Sequence, residues 1–370
     1  MEAIHAILGN YDKNNITIGT LGGHSALDVC AGAKKLGFRT IAICQKGRER
    51  TYDRYYRAHG KKGCIDETLI LDRFADVLRE ENTRYLQEKN TIFVESRYAW
   101  VYFERNTAER LLLPVFGNRA LLKAEERDEH PNQYDFLEHA GIRTPKRFMP
   151  EDIDRLCIVK AQEAERGYER AFFFADSFEE YKRRARELID EKKIRSTGLE
   201  KAVIEEYVVG AQVNFNFFYS AIDDEIELMG TDTRRQTNID GLIRLPVDEQ
   251  IEVLKHEKPS YIENGHVACT VKESLLEKGF DAAEHLVEIL RKEAPPGIIG
   301  PFALQGAVTP GPPREEFVVF DVSMRIPGSP GTMFTPYTNY LYGRNISIGE
   351  RIAVEIREAI EQERLEEVIT

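Results

Sequence analysis

The chain has 370 residues, of which 42% are hydrophobic and 31% charged, and its 51 basic against 63 acidic side chains leave a formal charge of −12. That length suits two or three domains, and the composition excludes a largely disordered or fibrous chain. The longest apolar run, around Leu111–Phe116, falls far short of the ~20 residues of a membrane helix, and the acidic balance argues against broad nucleic-acid binding. With Glu2 at its start and no basic, apolar leader, the chain is expected to be cytoplasmic. Its five cysteines show no C-x-x-C pair and read as reduced core thiols.

In chain order, a β-rich run Ile16–Leu21 leads through Gly22-Gly23-His24-Ser25 into a helix over Ala26–Leu36, closed by Gly37 and followed by a strand over Phe38–Cys44. This β–loop–α–β unit recurs more loosely as helix Asp72–Glu88 and strands Thr91–Val94 and Leu111–Phe116, predicting a Rossmann-like parallel sheet in a domain over 1–116. Ligands then belong beyond the C-terminal ends of its strands, where the Gly22–Ser25 turn sits. A small α+β lobe is expected over 117–198. It holds a short helix between Pro131 and Gly141, strands Leu156–Lys160 and Ala171–Ala175, and a charged helix Ser177–Lys192. A large lobe over 199–370 is predicted from strands Lys201–Val209, Gln212–Ser220, Glu225–Asp232, Pro301–Val308 and Phe317–Arg325. They form a mainly antiparallel sheet with helices Asp281–Glu293 and Ile348–Glu363 against it. Thr309–Glu316 reads as a proline-rich hairpin loop and Ile326–Gly331 as a tight turn.

The sequence has no P-loop, no G-x-S-x-G and no H-E-x-x-H, and its eight histidines are never paired at metal-ligand spacing. The chemistry must therefore come from dispersed residues. The Gly22–Ser25 turn can aim backbone N–H groups at an anion with His24 beside it, although a plain N-capped helix would need no more than Ser25. Lys160 ends a strand of the small lobe. Glu205-Glu206-Tyr207-Val208-Val209-Gly210 is an acidic–aromatic segment closing on glycine. Asp321 and Gln305 lie on adjacent strands, where a carboxylate and an amide oxygen suit Mg²⁺, and Ser323 and Arg325 follow at alternate positions on the face of Asp321. Thr231–Gly241 reads as a loop whose Arg234 or Arg235 could clamp a phosphate or carboxylate.

The order of these signals, a nucleotide-fold domain, a lobe with a strand lysine, an E-E-Y-V hinge and acidic strands of a large sheet, resembles the ATP-grasp ligases. More narrowly, LGGHSAL (Leu21–Leu27), PVFGNR (Pro114–Arg119), IEEYVVG (Ile204–Gly210), TNIDGLIR (Thr237–Arg244), IGPF (Ile299–Phe302) and FDVSMR (Phe320–Arg325) resemble the archaeal formate-dependent FAICAR synthetases over essentially the whole chain. Those enzymes make 5-formaminoimidazole-4-carboxamide ribonucleotide in IMP synthesis, through an acyl phosphate formed from ATP and formate. The resemblance implies that Lys123 and Lys160 meet ATP phosphates and that Glu206, Tyr207 and Val208 hold adenine. It likewise implies that Gln305 and Asp321 carry Mg²⁺ or Mn²⁺, that His24 and Arg325 are catalytic, and that Ser25, Arg235 and Asn238 face formate or the imidazole ribonucleotide, while Arg97, which departs from the family, is expected to clamp the ribonucleotide phosphate or, with Tyr98, to fill that pocket. The partners are small molecules, not nucleic acid or membrane, and a homo-oligomer is compatible with the sequence.

The chain departs from that pattern as a divergent paralogue would. Lys160 is followed by AQEAERGYER with the single glycine Gly167, where the family has a glycine-rich loop. Ser96-Arg97-Tyr98 stands where the family has H-G-S or T-G-S, Arg235 where it has tyrosine, and Asp321 where it has glutamate. Two alternatives stay open on these grounds: a ligase for a different amine acceptor, and a catalytically silent nucleotide-binding protein with a regulatory role.

Overall fold

The computed structural model describes residues 2–103, 111–126, 129–161, 172–200, 202–257, 259–260, 262–311 and 313–370, with Trp100 described in its backbone alone. Three sheets carry the architecture. The first joins β1 (Thr17–Leu21), β2 (Arg39–Gln45), β3 (Glu67–Leu71), β4 (Thr91–Val94) and β5 (Val115–Phe116) in the order β3-β2-β1-β4-β5, with every pairing parallel. β1 and β4 are buried along their whole length, as central strands covered on both faces must be. The second sheet, β7-β6-β8, is antiparallel and small: β6 (Cys157–Lys160), β7 (Phe172–Ala175) and β8 (Val203–Glu206). The third is antiparallel in the order β11-β10-β9-β12-β13, built from β9 (Ala211–Ser220), β10 (Glu225–Gln236), β11 (Glu263–Cys269), β12 (Gly300–Thr309) and β13 (Glu316–Ser323).

The expected fold class is therefore present, and the differences are local. No helix spans Asp72–Glu88: ETLIL forms β3, a short 3₁₀ turn covers Phe74–Leu78, and the helix is confined to Glu80–Glu88. Asp76 makes the break, because its buried carboxylate accepts the Arg73 N–H at 3.0 Å and pairs with the Arg79 guanidinium while Arg79 itself is extended. Leu111–Phe116 contributes only two strand residues, since Pro114 has no N–H and only its carbonyl pairs, accepting from Phe93 at 2.8 Å. The Lys201–Val209 strand, expected in the large sheet, shrinks to β8 and joins the small sheet instead, paired with β6. In the opposite direction β10 runs on to Gln236 with β11 beside it, so half of the expected Thr231–Gly241 loop is sheet, and the helix expected from Asp281 begins at Glu273.

The parallel sheet and the last helix, Ile348–Glu361, share one core in which Ile4, Leu8, Ile18 and Val29 meet Ile348, Ile352 and Ile356. Backbone contact makes this possible: a Cβ at Gly349 would lie 2.2 Å from the Asp28 carbonyl oxygen, and one at Gly32 would lie 2.3 Å from the Glu350 nitrogen. Gly349 N–H also donates to the Asp28 carboxylate at 2.9 Å. The helix Ala26–Lys35 is thereby clamped, and with it the turn that precedes it. Gly349→Ala is expected to cost roughly 2 kcal/mol, since the obstructing atoms are backbone and cannot swing aside. A thermal melt should show a fall of several degrees in Tm, and an unchanged Tm would contradict the clamp.

Candidate active site

The C-terminal ends of β1 and β4 open onto the end of β13. Gly22–Ser25 folds so tightly here that a Cβ at Gly23 would lie 1.9 Å from the Tyr98 ring, and Ser25 adopts a left-handed conformation at φ 66°. Ser25 Oγ makes no helix cap. It donates instead to the Pro327 carbonyl at 2.6 Å, and the His24 ring occupies the space a Cβ on Gly328 would need, at 2.0 Å. The turn is thus fastened across the molecule to the tight turn after β13. Burial lowers the His24 pKa to about 4, with Arg325, His266 and Arg97 adding to the effect against Glu263, so the imidazole is neutral at physiological pH.

Below this turn lies a residue the sequence reading passed over. Glu125, within a charged run that reads as solvated surface, is buried. Its Oε1 accepts the Met324 N–H at 2.6 Å, while Oε2 lies 3.4 Å from Arg97 and 3.6 Å from Arg325. Ser96 caps the helix Arg97–Tyr102 rather than forming an open turn, and Arg97 is drawn to Glu125 and Glu126. Lys123 pairs with Glu129 at 3.4 Å.

On the large sheet, Gln305 and Asp321 are paired in register, and Ser323 shares their face, accepting from Gln305 Nε2 at 3.0 Å. The amide oxygen of Gln305 accepts from Arg234, which also lies 3.3 Å from Glu263. Arg234, not Arg235, enters the site: alternation along β10 sends the exposed Arg235 to the other face. Asn238 heads a short helix, and its Oδ1 accepts the Ser260 N–H at 2.5 Å. Behind Arg234 runs a second feature the sequence reading missed, a buried chain in which Ser329 donates to Asn216, Asn216 and Asn214 donate to Asp232, and His266 bridges Asp232 and Glu263. Period-2 spacing of Asp232 and Arg234 on one strand was the available signal. His266 lay on a strand too polar to recognise.

The small sheet closes the third side. Lys160 pairs with the buried Glu205 at 2.5 Å and lies 5.9 Å from the Phe320 ring centroid, next to Asp321. Glu206 and Tyr207 donate their amides to the Lys146 and Leu156 carbonyls at 2.8 and 2.9 Å. Arg143 binds the Glu206 carboxylate at 2.7 Å and, with Arg155, holds its pKa below the usual range despite burial. Residues 162–170, the greater part of the segment expected to cover phosphates, lie outside the described residues. No cluster of three His, Cys, Asp or Glu side chains that could hold a metal occurs among the described residues.

Residues 18–148 match a family model described as a protein of unknown function (DUF1246), and residues 180–370 match one described as a domain of unknown function (DUF1297). Over its full length the chain is 38% identical to the 5-formaminoimidazole-4-carboxamide-1-(beta)-D-ribofuranosyl 5'-monophosphate synthetases of Methanobrevibacter smithii and Methanopyrus kandleri, covering 99% of each. The chain belongs to this synthetase family. An IMP biosynthesis protein PurP from Thermococcus kodakaraensis has a similar structure, with a TM-score of 0.71 at 27% identity over 95% of this chain and 100% of the other. An N5-carboxyaminoimidazole ribonucleotide synthetase solved as an ADP complex shares the fold at a TM-score of 0.57 and 12% identity, over 90% of this chain and 78% of the other. This member of the synthetase family is accordingly a ligase of purine biosynthesis. No helix among its described residues is long and apolar enough to cross a membrane.

The ionic chain behind Arg234 has a measurable pH signature. Burial opposes the charge on His266, but hydrogen bonds to Asp232 and Glu263 outweigh it and raise its pKa to about 9. Stability from this group is full below its ordinary value of about 6.5 and is lost as pH rises through 9, a difference of roughly 3 kcal/mol. Urea unfolding of the wild type should weaken between pH 7 and 10, and His266→Gln should flatten that slope.

Proposed function

We propose that the chain transfers the γ-phosphoryl group of ATP to formate and then joins the formyl group to the amine of 5-aminoimidazole-4-carboxamide ribonucleotide. In the first step a formate oxygen bonds to the γ-phosphorus as the bond to the ADP oxygen breaks, giving formyl phosphate. In the second, the amine nitrogen bonds to the formyl carbon, inorganic phosphate leaves with the C–O electron pair, and the amine releases one proton. The observation that carries this reading is the fastening of the Gly22–Ser25 turn to Pro327–Gly328, which brings a neutral imidazole and the Arg325 guanidinium together. The full-length similarity to synthetases named for this product supports it.

In this reading ATP lies between β6–β8 and β12–β13. The Val208 amide meets the adenine, and Lys160, released from Glu205, meets phosphate oxygens, while Lys123 supplies a second cation from the small lobe. Arg325 faces the charge that develops on the transferred group, because fixed positive charge in a dry site stabilises that state. His24 is neutral and can accept the proton of the attacking amine, and Ser25 holds the turn in place. Gln305 and Asp321 offer two adjacent hard oxygens, which suit Mg²⁺ or Mn²⁺ once Arg234 releases the Gln305 oxygen, and such an ion takes few protein ligands beside substrate phosphates. Such an ion would neutralise phosphate charge. We place the domain limits at 116–117 and 198–199, with β8, beyond the second limit, reaching back to complete the small sheet beside β6.

The pairing of Arg97 with Glu125 and Glu126 favours a second reading in one respect, since an arginine held by two carboxylates is poorly placed to clamp a ribonucleotide phosphate. A smaller amine acceptor would then be used. ADP release with formate, ATP, Mg²⁺ and either the ribonucleotide or its dephosphorylated nucleoside separates the readings. The ribonucleotide should be preferred at least tenfold, Lys160→Met should lower turnover by about 10²-fold or more, and equal use of the nucleoside would shift the assignment to the second reading. No ADP release with either acceptor would contradict the first reading.

A further inference from the structure

Arg234 on β10 and His266 on β11 stand directly opposite each other in the antiparallel register, on the face that also carries Asp232. Two cations so placed repel each other unless carboxylates divide them. Glu263 does this: its Oε1 accepts from His266 Nε2 at 2.9 Å, and its Oε2 lies 3.3 Å from Arg234 Nε. His266 Nδ1 is bonded to Asp232, which is fixed in turn by Asn214 at 3.0 Å and Asn216 at 2.6 Å. The imidazole is 10% exposed and the Asp232 carboxylate 1%. Arg234 differs, with 30% of its side chain exposed and no hydrogen bond from Nη1 among the described residues. The line therefore runs from a fixed, buried end to a cation that a ligand can reach. It ends beside the reacting groups, since Glu263 and His266 act on the charge of His24 together with Arg325.

We propose that His266 is a positioning residue for Arg234: through Glu263 it holds the guanidinium against the carboxylate of the acid substrate. Arg234 has two anchors, Gln305 and Glu263. The Gln305 oxygen is the one a metal ion would take, after which Glu263 holds the arginine alone. A carboxylate can rotate about its last bond, and the charge-assisted hydrogen bond from His266 stops that rotation with Oε2 towards Arg234. Both ring nitrogens of His266 face carboxylates, which requires the doubly protonated ring. The identity of the anion rests on the ligase reading above; the link from His266 to Arg234 does not.

The test is an NMR titration of the full-length protein with ¹³C-formate, at constant ionic strength in the presence of ADP and Mg²⁺. The wild type should bind formate saturably. Arg234→Lys and His266→Gln should each weaken binding by about tenfold, the worth of one hydrogen bond to a charged group. The double variant should bind no more weakly than Arg234→Lys alone, because a residue that acts through Arg234 then has nothing left to act on, whereas a merely structural loss would add. A wild type that binds no formate, wild-type affinity in His266→Gln, or losses that add in the double variant would each overturn the proposal. Should His266→Gln fail to fold, Glu263→Gln, which keeps the shape of the side chain and removes its charge, takes its place in the same cycle with the same outcomes. A protein that passes the cycle yet releases no ADP would overturn the ligase reading and leave the link from His266 to Arg234 supported.

Discussion

The Glu125 carboxylate, held between the Met324 amide, Arg97 and Arg325, is the interaction on which the site depends. Its three partners come from two different sheets: Arg97 follows β4, and Met324 and Arg325 follow β13. Gln133 reinforces the junction by donating to the Glu125 carbonyl at 2.8 Å and accepting the Val322 N–H at 2.7 Å. A buried carboxylate is costly unless it is matched, so the end of β13 cannot drift from the parallel sheet without exposing an unpaired charge. Electrostatics here sets geometry more than stability.

A second buried charge cluster does the same for the frame. Arg351 on the last helix is 2% exposed, binds Glu227 of β10 through Nε and Nη2 at 2.8 and 2.9 Å, and lies over the Phe218 ring of β9 at 4.5 Å. Since that helix also touches Ala26–Lys35 backbone to backbone, the large antiparallel sheet is braced against the helix that carries the Gly22–Ser25 turn. The reacting groups are then held by elements that cannot rotate independently, which is what near-attack placement of an amine and an acyl phosphate requires. Among the described residues, Arg325 Nε at the site is one of the buried polar atoms without a hydrogen-bond partner, a donor that suits an anionic ligand.

Much of this was legible in the sequence. The turn before Ala26 announced itself because two glycines and a histidine exceed what a helix cap needs, and strand alternation placed Gln305, Asp321 and Ser323 on one face. What escaped was whatever depended on a partner distant in the chain. Glu125 looks like one more acidic residue in a charged run until Met324, 199 positions away, donates to it. Arg234 and Arg235 differ only in which face of β10 they occupy, and that follows from the strand continuing past Asp232. Polar β11, whose His266 is stabilised by carboxylates from two strands, carries too few apolar residues to declare itself. The helix expected over Asp72–Glu88 failed because Asp76 turns inward to cap, a choice made by burial and not by helical spacing.

The central claim is that the Gly22–Ser25 turn and the β6–β8/β12–β13 cleft form one composite site. A crystal structure of the protein soaked with ADP, Mg²⁺ and 5-aminoimidazole-4-carboxamide ribonucleotide tests it most directly. The account predicts adenine at Val208, the diphosphate towards Lys160 and Asp321, and the ribonucleotide amine within reach of His24 and Arg325. Nucleotide bound away from the cleft, or a ribonucleotide seated far from His24, would contradict it.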